Sequence, residues 1–388
     1  MNDKPQAATR AVRTALDTDT QHGAVVPPIH LSSTYTFAAF GERRPYDYSR
    51  SANPTRDALG EALAALEEGV GAVITSSGMA AVNLVCQLLR HDDLLIAPHD
   101  CYGGSYRLFD ALHKRGALRI QFIDYRDSQA LVAALQHKPK LVWIETPSNP
   151  LLRITDIREV VRQAHAVGAL VAVDNTFMSP VWQLPLKLGA DLVAHSTTKY
   201  LNGHSDVIGG AVVAANKELH EQLIWWANCT GLTGSPFDSY LTLRGVRSLY
   251  ARMAVHGDNA ARAAELLAKH PAVNAVYYPG LPTHPQHALA KQQQSGFGAM
   301  VSFELKGGVA QVRAFIAGLQ MFSLAESLGG VESLIAHPTT MTHSAISAEA
   351  RRIAGINDSL LRLSIGIEAW QDLARDLSDG LERAAACK

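Results

Sequence analysis

Short apolar runs alternate along this chain with stretches in which apolar residues recur every three or four positions. Continuous apolar runs bounded by polar residues or glycine are the pattern of strands buried on both faces. The longer recurrence marks amphipathic helices. This predicts helices at 57–68, 78–90, 104–115 and 156–167, and strands at 71–75, 94–97, 118–123, 140–145, 169–174, 192–194 and 207–213. Strands alternating with helices argue for an α/β fold on a mainly parallel sheet covered on both faces. In such sheets ligands sit beyond the carboxyl ends of the strands. The residues that close each apolar run are therefore the first place to look for chemistry.

Further on the pattern thins. Residues 236–268 read as long helical sequence with room for a kink. Strands are predicted at 273–277, 299–303 and 360–365, and helices at 310–319, 346–354 and 370–385. The expected organisation is a large domain over 58–254 and a smaller C-terminal α/β domain over 255–388. Residues 1–57, with Pro27-Pro28, Ser32-Ser-Thr34 and Tyr46-Asp-Tyr-Ser-Arg50, show little periodicity. They read as an N-terminal arm that docks on a neighbouring subunit.

Charge narrows the function classes. Basic and acidic side chains number 35 and 36, for a net charge of −1, and form no block. That balance gives no field for binding nucleic acid or an anionic membrane. No apolar run is long enough to span a bilayer. The start, Met1-Asn-Asp-Lys-Pro-Gln6, lacks the apolar core of a secretory signal. A soluble cytoplasmic protein is expected. The four cysteines, Cys86, Cys101, Cys229 and Cys387, include no Cys-x-x-Cys pair and read as reduced thiols.

The most telling residue is Lys199, in Ala194-His-Ser-Thr-Thr-Lys-Tyr-Leu201, just past an apolar run. A lysine at a strand end, flanked by hydroxyls rather than charges, can have a lowered pKa and form a Schiff base with a carbonyl. Asp174 closes another apolar run, Ala169-Leu-Val-Ala-Val-Asp174. It reads either as a cap or surface carboxylate, or as the partner of a protonated ring nitrogen. Together they match two requirements of a pyridoxal phosphate enzyme. Ser76-Ser-Gly-Met-Ala80 lies where a strand meets a helix. It is either ordinary turn chemistry or a phosphate cradle, to which Ser196 and Thr198 would add hydroxyls.

Other positions stay open on the residues alone. Tyr102, on a glycine-flanked loop, could stack on a flat ring or be an ordinary tyrosine. Arg362 interrupts the apolar run Leu360-Leu-Arg-Leu-Ser-Ile365. It either grips a carboxylate or lies on a solvated face. Glu326 sits in a glycine-rich loop, where an acid is often a turn residue. His99 and Cys101 are too close in one loop to suggest a thiol nucleophile. His337 and His343 lack two further ligands, so no metal site is expected. No Gly-x-Gly-x-x-Gly follows a strand, which argues against a nicotinamide-binding fold.

Several segments together carry a resemblance. They are Tyr46-Asp-Tyr-Ser-Arg-Ser-Ala-Asn-Pro-Thr-Arg56, Ser77-Gly-Met79, Asp100-Cys-Tyr-Gly-Gly-Ser-Tyr-Arg107, Glu145-Thr-Pro-Ser-Asn-Pro150, Val173-Asp-Asn-Thr-Phe177, Ser196-Thr-Thr-Lys-Tyr-Leu-Asn-Gly-His-Ser-Asp206 and Ala325-Glu-Ser-Leu-Gly-Gly-Val-Glu-Ser333. Over nearly its whole length the chain resembles the Cys/Met-metabolism family of pyridoxal phosphate enzymes, which have the type I, aspartate aminotransferase-like fold. The resemblance implies that Lys199 tethers the cofactor and shuttles protons, Asp174 pairs with the ring nitrogen, and Tyr102 stacks on the ring and helps deprotonate the incoming amine. It implies a phosphate held by Gly78, Met79, Ser196 and Thr198, with Tyr48 and Arg50 reaching over from a neighbouring subunit. Arg362, Asn149 and Ser327 are expected to hold the substrate α-carboxylate, and Arg107 and Glu326 the distal part of an amino-acid substrate. The family also implies a homotetramer, a dimer of dimers with shared active sites.

Trp225-Trp-Ala-Asn228 and Phe237-Asp-Ser-Tyr240 fit the branch that performs γ-replacement. The expected reaction is O-succinyl-L-homoserine plus L-cysteine to L-cystathionine plus succinate. The alternatives are γ-elimination from cystathionine, sulfide as the incoming thiol, and, more remotely, a non-catalytic pyridoxal phosphate-binding protein.

Overall fold

The computed structural model describes residues 5–342, 351–352 and 354–387. Among these the helices are α1 (Ala7–Arg13), α2 (Pro54–Glu67), α3 (Gly78–Cys86), α4 (Gly103–Lys114), α5 (Ser128–Leu135), α6 (Ile157–Ala166), α7 (Ser179–Trp182), α8 (Lys217–Thr230), α9 (Pro236–Arg247), α10 (Leu249–Lys269), α11 (His287–Gln293), α12 (Val309–Ile316) and α13 (Trp370–Ala386). The strands are β1 (Gly71–Thr75), β2 (Leu94–Pro98), β3 (Arg119–Ile123), β4 (Leu141–Glu145), β5 (Leu170–Asp174), β6 (Leu192–Ser196), β7 (Gly210–Ala214), β8 (Val273–Tyr277), β9 (Met300–Leu305), β10 (Ser323–Leu324), β11 (Leu334–Ala336) and β12 (Leu360–Ser364).

Strands β1 to β7 form one seven-stranded sheet in the order β1-β7-β6-β5-β4-β2-β3. Only β7 runs against its neighbours. The central strands β2 and β4 are buried at every position, as their unbroken apolar runs require. Helix α6 shows how the covering layer is specified. Ile157, Val160, Val161 and Ala164 recur at helical spacing and are all buried, and the Asp156 side chain caps the Glu159 amide. Helix α2 starts where Asn53 Oδ1 accepts the Thr55 and Arg56 amides, with Pro54 at its first position.

The second sheet has five strands in the order β10-β11-β12-β9-β8, antiparallel except at β10-β11. Helices α10, α12 and α13 pack on it through one core that includes Phe303, Phe315, Leu377 and Leu381.

Several boundaries differ from the sequence expectation. The long helical stretch breaks at Ser248, whose φ of −102° and ψ of 4° leave helical geometry, to give α9 and α10. The strand expected at 207–213 begins only at Gly210, because the Gly209 carbonyl and amide are taken by Thr197 and Thr198. In the N-terminal segment, α1 packs on its own chain with Ala11 buried, and Arg247 bonds the Val12 carbonyl. From residue 14 to 53 the backbone forms only two isolated bridges, Thr34 with Tyr48 and Ala39 with Glu42. The expected helix at 346–354 falls largely outside the described residues.

Candidate active site

The carboxyl ends of β4, β5 and β6 and the N-terminus of α3 open on a cavity of about 920 Å3. Every predicted site residue lines it except Tyr48 and Arg50.

Lys199 lies three residues past the end of β6. Its Nζ donates to Ser327 Oγ at 2.7 Å. Burial, then the nearby Arg362 charge, lowers the amine to about 8, against an opposing pull from Glu326. Ser327 holds a left-handed backbone, φ 86°, that a non-glycine residue adopts only where its surroundings enforce it. The enforcement is visible: its carbonyl accepts from Arg362 Nη2 at 2.9 Å.

Asp174 ends β5, and its neighbour in register is Glu145, the last residue of β4. Asp174 Oδ1 accepts the Thr176 amide at 3.0 Å, and Glu145 Oε2 accepts the Tyr102 amide at 2.7 Å. Burial raises both carboxyls above the usual range. Asp174 raises Glu145 further, while hydrogen bonds from Thr176 and the nearby His195 partly offset the rise at Asp174. Two enclosed carboxylates side by side at a cavity are costly unless a cation or a bound proton completes the site.

At the start of α3 the amides of Gly78 and Met79 have no intrahelical acceptor, and the helix end favours an anion. Gly78 is required by close approach, since a Cβ there would lie 2.7 Å from Ser196 Cβ. Thr198 Oγ1 both accepts from the Gly209 amide and donates to its carbonyl. Tyr102 lies over Gly104, where a Cβ would come within 2.5 Å of its ring.

Arg362 faces inward. Every residue of β12 is buried, which resolves the choice between a solvated face and the interior. Arg362 Nη1 donates to Asn149 Oδ1 at 2.9 Å, and its Nε is buried with no protein partner. Burial lowers its guanidinium to about 10. Arg107 and Glu326 stand exposed at the rim of the cavity.

Pyridoxal phosphate fits these residues. The paired carboxylates suit a protonated ring nitrogen, the α3 amides suit a phosphate, and the lowered Lys199 amine suits a carbonyl. The family of Cys/Met metabolism PLP-dependent enzymes matches residues 8–382. This chain belongs to that family. Its cofactor is pyridoxal phosphate.

Within this family, the chain is 57% identical over 378 residues to cystathionine gamma-synthase of Escherichia coli (strain K12), covering 97% of this chain and 98% of that protein. It is 46% identical over 376 residues to cystathionine gamma-lyase of Dictyostelium discoideum, with 97% of each covered. A crystal structure of cystathionine gamma synthase from Xanthomonas oryzae pv. oryzae, in complex with aminoacrylate and cysteine, matches with a TM-score of 0.98. It is 63% identical, covering 99% of this chain and 100% of that one.

Tyr48 and Arg50 lie elsewhere on this PLP-dependent enzyme. They line a separate depression of about 390 Å3 with Arg56, Ser76 and Thr233. The Arg50 guanidinium sits 5.6 Å from the centre of the Tyr48 ring and donates to the Asn228 carbonyl. His337 is buried and bonds Thr340 and the Asp358 carbonyl, as a loop histidine does, and His343 lies outside the described residues. Among the described residues no cluster could hold a metal ion. Cys101 is buried beside Glu145, which with burial pushes its thiol well up and leaves it unfit as a nucleophile.

Glu145 was not singled out from sequence, although it closes an apolar run just as Asp174 does. The same signal would have found it.

A pH consequence follows from Lys199. In cofactor-free protein an amine-reactive acylating reagent should modify Lys199 with a rate midpoint near pH 8, whereas exposed lysines keep rising to about 10.4. Peptide mapping of the modified protein over a pH series checks this.

Proposed function

We propose that the chain catalyses γ-replacement: O-succinyl-L-homoserine plus L-cysteine gives L-cystathionine plus succinate. The Cγ–O bond breaks, a Cγ–S bond forms, and the thiol proton is balanced by release of succinate. One observation carries this reading. One cavity holds the inward-facing Arg362, the Lys199 amine and two exposed charged side chains, Arg107 and Glu326, with Glu326 close enough to act on both Lys199 and Arg362. A carboxylate grip, a low-pKa amine and further charged side chains in one cavity suit an amino acid with a charged distal group. The synthase relatives, at 57% and 63% identity, support the same choice.

Pyridoxal phosphate, when bound, supplies a carbonyl for the substrate amine and a ring that delocalises negative charge from the carbon beside it. The chain's residues do the rest. Lys199 Nζ, substantially neutral near pH 8, would take the proton from the substrate Cα, relay it, and, neutral again, take one from Cβ. Ser327 Oγ receives Nζ when the amine is not engaged. Asp174 would keep the ring nitrogen protonated and Tyr102 would lie against the ring. Gly78, Met79, Ser196 and Thr198 would hold the phosphate. Arg362, fixed by Asn149 and Ser327, grips the α-carboxylate. Replacing Arg362 by lysine keeps a charge but loses the planar fork. Substrate KM should rise about 100-fold with a smaller change in kcat, as steady-state assays would show.

We further infer a homotetramer of cytoplasmic location, divided as residues 1–57, 58–254 and 255–388. Tyr48 and Arg50 stand away from their own cavity, which supports sites completed by a neighbouring subunit. Mixing inactive Lys199→Ala and Arg50→Ala chains after dissociation should restore part of the activity if sites are shared. No helix among the described residues is long and apolar enough to cross a membrane.

The deciding assay is incubation of the holoenzyme with O-succinyl-L-homoserine and L-cysteine. L-cystathionine should accumulate. If the only turnover were breakdown of cystathionine to cysteine and 2-oxobutyrate, the lyase reading would replace this one. Homocysteine formed from O-succinyl-L-homoserine and sulfide, with no cystathionine made from cysteine, would indicate the alternative in which sulfide is the incoming thiol.

A further inference from the structure

Arg153 has no place in the chemistry above, yet it joins three segments that do, two through its guanidinium and one through its backbone. Its Nη1 donates to Asp100 Oδ2 at 2.8 Å, and the two side chains are only 16% and 10% exposed. Asp100 lies two residues before Tyr102, whose amide is in turn held by Glu145. Arg153 Nη2 donates to the Ala354 carbonyl at 2.7 Å. Ala354 packs with Leu151, Ile356 and Leu360, at the point where the chain enters β12 and reaches Arg362. Finally, Arg153 closes the turn that contains Asn149. Ser148 N donates to the Arg153 carbonyl at 2.9 Å, and Arg153 N donates to Ser148 Oγ at 3.3 Å.

A planar fork can serve Asp100 and the Ala354 carbonyl together, and an ammonium of different length and shape cannot reproduce that reach. The ion pair is largely enclosed, so it escapes the screening that weakens surface pairs. We propose that Arg153 is a positioning residue, which locks the Tyr102 loop and the Arg362–Asn149 grip into one geometry. This rests on the reading above that Tyr102 covers the cofactor and that Arg362 and Asn149 hold the α-carboxylate. It does not depend on which leaving group or thiol the enzyme uses.

The test uses holoenzyme and L-alanine, which has the α-amino and α-carboxyl groups but nothing to eliminate. Its binding is read from the change in cofactor absorbance. Amide hydrogen exchange at Tyr102 reads the loop directly, and a melting curve reads general stability. Arg153→Gln should weaken L-alanine binding by about 10- to 100-fold, the scale expected when a group is displaced by an ångström or less. It should also speed exchange at Tyr102 beyond what the melting shift explains. Arg153→Lys should keep Tyr102 protected through Asp100 yet still weaken L-alanine, because the arm to Ala354 is lost. If the glutamine protein does not fold, the lysine protein decides.

L-alanine binding within about threefold of wild type in Arg153→Lys, with unchanged Tyr102 exchange, overturns the proposal, since coupled groups should shift by more. A wild-type holoenzyme that does not respond to L-alanine overturns it too. A wild type that makes no cystathionine, yet binds L-alanine in an Arg153-dependent way, sinks only the γ-replacement reading and supports the positioning role.

Discussion

Lys199→Ala protein should turn over substrate at least about 10⁴-fold more slowly than wild type while keeping its fold. Lys199 is the only lysine among the described residues lining the cavity, so no other amine there can take over. On the proposed mechanism the change removes two functions at once, the covalent tether and the group that moves protons at Cα and Cβ. General acid–base transfer alone is worth about 10²- to 10⁴-fold. Lys199→Arg should be nearly as inactive, because a guanidinium stays protonated where the lowered amine does not. Cystathionine formation measures the loss, the visible spectrum reports the missing link to the cofactor, and circular dichroism checks the fold. Activity within tenfold of wild type in either variant would remove Lys199 from the mechanism.

Asp174→Asn should lower kcat by about 10³-fold, in the range set by losing one preorganised electrostatic partner. Its effect on stability should change sign with the cofactor. Without cofactor, Asp174 and Glu145 are enclosed carboxyls with raised pKa values. A carboxyl whose folded pKa exceeds its unfolded value near 4 contributes stability below that value and loses it as pH rises through the folded pKa. Cofactor-free wild type should therefore lose stability as pH climbs from about 4 towards 8. Asparagine keeps the acceptor for the Thr176 amide but carries no charge. Cofactor-free Asp174→Asn should be more stable than wild type by about 1–3 kcal/mol at pH 8, with the gap closing towards pH 4. With cofactor bound the order should reverse, because on the proposed reading the ring nitrogen loses its anionic partner. Melting curves with and without cofactor at the two pH values separate these effects. A variant less stable than wild type in the cofactor-free form at pH 8 would contradict this account of the carboxylate pair.

Much of the site was legible because strand ends are local features. An apolar run followed by a functional side chain marks Lys199 and Asp174 without knowledge of any partner. The same logic applies to Glu145, where the signal was present but unused. Helices α5 and α8 and the short strands β10 and β11 escaped for a different reason. Strand β10 has two exposed residues and β11 only three, too few to show a period. Helix α8 buries only Leu219, Leu223 and Ala227 and leaves Trp225 exposed, so its apolar pattern points both ways.

The chain's local pattern thus determined the strand–helix alternation, the lysine and aspartate that close two of its strands, and the glycine that opens α3. Only the tertiary structure decided the rest. It placed Asp174 beside Glu145, turned Arg362 inward onto Asn149 and Ser327, and set Ser327 against Lys199. It also kept Tyr48 and Arg50 out of the cavity and put Arg153 between the Tyr102 loop and the segment leading into β12. The reason is physical. These contacts join residues far apart in sequence, and they depend on strand order and on how the two sheets pack. Periodicity reports which face of an element is buried, not which distant side chain it meets there.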